Sequence, residues 1–139
     1  METVPTILLT AAIVAISAPG QAADTPKQRY QNNMTCTAVI TTAIEQNALP
    51  ANITSKQATS LRTVYAQQTR TTGRDAGILP ADIMSDIENM HRTIVARMNA
   101  SDKSKASSER AETASMTTNC AALLGFELEH TVMSYGPGH

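Results

Sequence analysis

Between Pro80 and Met98 the apolar side chains return every three or four positions, at Ile83, Ile87, Met90, Ile94 and Met98. That spacing predicts one face of an α-helix, and Met84 and Val95 widen the stripe. Pro80 suits a first turn, where its missing N–H costs no bond. Asp82 and Asp86 lie toward the positive end of the helix dipole, Arg92 and Arg97 toward the negative end. Elsewhere the periodicity is weaker. Cys36, Val39, Ile40, Ala43 and Ile44 predict a helix within residues 34–50, stopped by Pro50. Ala58, Leu61, Val64, Tyr65 and Gln68 predict a second over about 54–72, with Thr54 or Ser55 as its cap and Gly73 as its left-handed stop. Ala114, Thr117, Cys120, Ala121, Leu124 and Leu128 predict a last helix over about 109–128, interrupted or kinked near Gly125. The polar stretches 24–33 and 99–109 read as a loose lead and an exposed connection, and SYGPGH as a turn-forming tail. The pattern as a whole predicts an all-α fold, a small up-and-down bundle of about four helices.

The first segment is of another kind. VPTILLTAAIVAISA, residues 4–18, is an uncharged apolar run followed by Pro19-Gly20, with small residues Gly20 and Ala22 before a cleavage point. This is the form of a secretory signal peptide over residues 1–22, leaving 23–139 as a single helical domain. Its apolar core is shorter than the roughly 20 residues of a spanning helix. The n-region carries Glu2 and no Lys or Arg, which keeps an uncleaved signal anchor open as an alternative. Removing the segment takes one acidic residue from twelve and none of the eleven Lys and Arg, so the mature chain is formally neutral. With 3% aromatic residues and no Trp, it lacks the basic face and stacking rings of a nucleic-acid binder, and it has no long-range attraction to a membrane surface.

Export gives meaning to the two cysteines. Cys36 and Cys120 lie on the first and last predicted helices and have no CxxC or CxxH neighbour, so in an oxidising compartment they are read as a disulfide. Closing a loop of roughly 85 residues stabilises by about 4–5 kcal/mol in the chain-entropy model.

Candidate chemistry is sparse. The histidines are His91, His130 and His139; no GxSxG frame surrounds Ser134 or any other serine, and His91 sits off the Ile-Met stripe as a rim residue. Asp82 and Asp86, one turn apart, read as dipole compensation rather than a cation site. Glu127 and His130 form one Glu-x-x-His pair, where a di-iron bundle needs two and further Glu residues. Met34 and His130, near opposite ends of the outer helices, are similar to the Met/His haem ligands of small helical cytochromes. The resemblance covers two residues and strains the register: if Cys36 faces Cys120, His130 lies ~12 Å beyond the position facing Met34.

These features point to an exported, non-enzymatic helical protein, periplasmic or secreted. It is expected to act on an unknown protein partner in an inhibitor, immunity-type or envelope accessory role. No catalytic residue, cofactor, metal or nucleic acid is expected, and no membrane after cleavage. Met84, Met90 and Met98 are the candidate contact surface, because flexible thioethers adapt to varied partners. The alternatives are a haem or metal carrier using Met34, His130 or His91, and a periplasmic stress chaperone exposing its Met-rich faces.

Overall fold

In the computed structural model the described residues run from Thr25 to Tyr135, with side chains described as far as Leu124. They form four helices: α1 Pro26–Glu45, α2 Ser55–Asp75, α3 Pro80–Met98 and α4 Lys103–Tyr135. No strand occurs among them. The fold is the all-α bundle that the periodicity predicts, and the Cys36–Cys120 disulfide joins its first and last helices. The signal segment and the SYGPGH tail fall outside the described side chains.

Residues 26–33 are not a loose lead but the first two turns of α1. Thr25 Oγ1 accepts from the Gln28 N–H at 3.1 Å, and the Gln28 side chain accepts from the Thr25 N–H at 3.3 Å. The two groups satisfy each other as a capping box, with Pro26 in the first turn. Thr54 and Gln57 repeat the device at the start of α2. The 99–109 connection is also shorter than expected. Asp102 Oδ1 accepts from the Ser104 and Lys105 N–H groups, and α4 starts at Lys103 on a polar, solvated turn.

Both early helix stops follow one geometry. Asn47 has φ 54° and Gly77 has φ 79°, the left-handed conformation that Asn and Gly tolerate. Beyond each, a backbone N–H reaches back five residues, Ala48 to the Ala43 carbonyl and Ile78 to the Gly73 carbonyl, both at 2.8 Å. This is the Schellman closure. It ends α1 five residues before Pro50. It also makes Gly77, not Gly73, the glycine that stops α2.

Gly73 serves packing instead. A Cβ there would lie 2.5 Å from Ile83 Cδ1 and 3.2 Å from the Tyr30 ring, so α2 needs a bare backbone where it meets α1 and α3. Gly73→Ala is expected to destabilise by about 1–2 kcal/mol, since overpacking costs ~1–3 kcal/mol and the better helix former returns at most ~1 kcal/mol. Ile83→Val removes the nearest carbon, so in that background the same alanine should cost less. Urea melts of the four proteins measure the coupling; strict additivity would show that the contact is not the cause.

α1 is the axis of the molecule: α2, α3 and α4 all pack on it, whereas α2 and α4 barely meet. Ile40 and Cys36 face α2 and α4, in a cluster with Leu61, Tyr65, Cys120 and Leu124. Val39 faces the other way, toward Ile94, Met98 and Met116. Every residue from Thr35 to Ile40 is buried, which is why α1 shows no clean stripe. Two of its buried threonines close on their own helix, Thr37 Oγ1 donating to the Asn33 carbonyl and Thr42 Oγ1 to the Ala38 carbonyl, each at 2.8 Å. Thr69, Thr113 and Thr117 do the same on α2 and α4. No buried side-chain polar atom among the described residues lacks a partner.

Candidate functional site

α1 and α4 run antiparallel, and two links fix their register. The disulfide pairs Cys36 with Cys120. Ten residues along, the Arg110 guanidinium donates to the Gln46 carbonyl and, at 3.4 Å, to that of Asn47. Position 122 therefore faces half-buried Met34. His130 falls eight residues further along, outside the described side chains, as do Ser134, His139 and the Glu127–His130 pair. Among the described residues no group of three or more His, Cys, Asp or Glu side chains could hold a metal ion.

His91 is a rim residue that bridges two helices. Its Nδ1 lies 2.9 Å from Thr42 Oγ1 and its Nε2 3.1 Å from Glu45 Oε1. Both ring nitrogens meet side chains of α1, so the ring ties α3 to α1.

The two aspartates separate in role. Asp82 sits in the first turn of α3, where its charge suits the dipole. Asp86 has a structural partner: it accepts a 2.6 Å hydrogen bond from the Tyr30 hydroxyl across the α1–α3 interface. Burial, then the Asp86 bond and charge, then Asp82, push the Tyr30 phenol far above its ordinary value. Tyr30→Phe is expected to cost about 1–2 kcal/mol, the loss of a hydrogen bond to a charged acceptor. The folded phenol keeps its proton to higher pH than the unfolded one. Above about pH 10 the unfolded chain therefore releases a proton that the folded chain retains, and stability falls as pH rises. Melting temperatures of wild type and variant should converge between neutral pH and pH ~11; a constant gap would remove this assignment. On α4, burial raises the Glu109 carboxyl, with Arg97 opposing and Glu112 adding to the shift.

The methionine surface divides. Met98 is 4% exposed and belongs to the core with Val39, Ile94 and Met116, and half-buried Met90 packs against the same cluster. Met98 therefore offers no free surface and Met90 only part of its side chain, because the stripe they sit on is the one α3 turns inward. Met84, one position past Ile83 and so about 100° around the helix, is 66% exposed. Leu79, at the N-cap of α3, is equally exposed. Sequence reasoning missed Leu79, although an apolar residue at an N-cap, where Ser, Thr, Asp or Asn is preferred, is a readable signal.

No family model matches this chain, and no curated protein and no solved structure is similar to it.

Proposed function

We propose that this chain is an exported, non-enzymatic helical protein, periplasmic in its compartment, that acts by binding another protein. The observation that carries the reading is the exposure of Leu79 and Met84 at the start of α3, two large apolar side chains left in water by a bundle that buries or half-buries the rest of the stripe. Contiguous exposed apolar surface marks contact sites, and Leu79 and Met84 both stand at the first turns of α3. Export is supported by the apolar run at residues 4–18 and by a disulfide whose two cysteines are each 1% exposed. A non-enzymatic role is supported by the occupation of His91 and Asp86 in helix–helix contacts.

The test is cross-linking of the tagged protein in its own compartment, repeated with Leu79→Lys and Met84→Lys. Both positions are exposed, so fold and melting temperature should persist while a specific adduct is lost. Adducts unchanged in both variants would move the contact elsewhere. A Soret band in the purified protein would overturn the reading in favour of a haem carrier.

A further inference from the structure

α2 and α4 both run antiparallel to α1 and so share a direction, yet they touch only near Cys120, whose carbonyl accepts a 2.7 Å hydrogen bond from the Tyr65 hydroxyl. On the N-terminal side of Tyr65, α2 and the turn before it carry a groove of about 480 Å³, within the range of small-molecule sites, which α4 meets at Ala121. Ile53, Leu61 and Val64 line it from the α2 side and Ala121 from α4. Along α2, from Lys56 to Val64, it extends for about 12 Å at 1.5 Å per residue, the reach of a medium-length acyl chain. Lys56 is the one charged residue among its described lining, and it makes no ion pair among the described residues. The Asn52 amide stands on the same rim.

We propose that this groove binds a single-chain amphiphile with an anionic head, its carboxylate at Lys56 and its hydrocarbon running from there along Leu61, Val64 and Ala121. A cation placed beside an otherwise uncharged apolar furrow complements one negative charge on an apolar tail. A partner helix, about 10 Å across, fits less well. It would have to spread α2 from α4, which the Tyr65 bond and the disulfide hold in place. The site is separate from Leu79 and Met84 and stands whether or not those residues meet a protein.

The experiment is a titration of the oxidised, isotope-labelled protein with sodium dodecanoate below its micelle-forming concentration, read by amide NMR shifts. Saturable binding of one molecule per chain is expected, with shifts centred on Ile53, Lys56, Leu61, Val64 and Ala121. Lys56→Glu should weaken dodecanoate about fivefold or more, because like charges then face each other, while leaving the uncharged dodecanol nearly unaffected. Ser60→Trp, at an exposed position on the rim, should block both without loss of helix. Scattered or non-saturating shifts would overturn the proposal, as would a Lys56→Glu affinity equal to wild type. So would binding to phosphatidylglycerol vesicles with no binding of the monomeric acid.

Discussion

Replacing Cys36 and Cys120 together with alanine is expected to lower stability by about 4–5 kcal/mol, the denatured-state entropy removed by a cross-link of this span. The two residues are 84 apart in the chain, and their side chains are almost fully buried. The loss should appear as a fall of roughly 20 °C or more in melting temperature. It should also be uneven. α4 is held to α1 by the disulfide, by Arg110 on the Gln46 and Asn47 carbonyls and by one face of apolar contacts, and it barely meets α2. Without the bridge, amide exchange should quicken first in α4, while α1 and α2 keep their protection. The double replacement is preferable to a single one, which leaves a reactive thiol free to pair between chains. A stability loss below about 1 kcal/mol would mean that the denatured chain is already compact enough to make the bridge redundant.

Met98→Lys is the second large effect, expected at about 3–5 kcal/mol, because it sets an unpaired ammonium at a 4% exposed position among Val39, Ile94 and Met116. Met84→Lys, fourteen positions earlier on the same helix and 66% exposed, should change stability by no more than about 0.5 kcal/mol. Equilibrium unfolding of the pair separates core from surface on one helix. Equal losses in both variants would contradict the orientation of α3 described above.

The sequence made α3 legible because only one of its faces is buried, and amphipathic helices are the ones whose period can be read. α1 was harder for the opposite reason. A helix enclosed by three others has no polar face to set the phase, and its first turns, PKQRYQNN, look like a polar lead. The capping pair Thr25 and Gln28 stood in the sequence and is the signal that could have placed its start. At the end of α2 the choice lay between two glycines. Propensity does not separate Gly73 from Gly77; Gly73 follows the apolar period directly, whereas the closure at Gly77 depends on chain direction, and the packing need at Gly73 depends on Ile83 and Tyr30 from other helices. The disulfide was legible from parity and from the compartment that the apolar run at residues 4–18 led one to expect. The candidate surface was legible only in part, because Met84 and Met98 look alike as letters and differ by their angle around α3. The groove at Lys56 was not legible, since it depends on where α4 meets the outer face of α2 at Ala121.

The threonines of α1 bear on the export proposed for this chain. A helix enclosed on every side is usually a continuous run of Leu, Ile and Val, and a run of that kind resembles a stop-transfer signal while the unfolded chain crosses a membrane. Here the enclosed stretch is Thr-Cys-Thr-Ala-Val-Ile-Thr-Thr-Ala, residues 35–43, and no helix among the described residues is long and apolar enough to span a bilayer. In the extended chain each hydroxyl is hydrated and keeps the segment polar. Once the helix forms, Thr37 and Thr42 turn inward on their own carbonyls, and the same residues enter the interior with their polarity already spent. For an exported protein, a threonine axis can thus pass through a translocation pore as a hydrophilic segment and serve on the far side as the centre of the core.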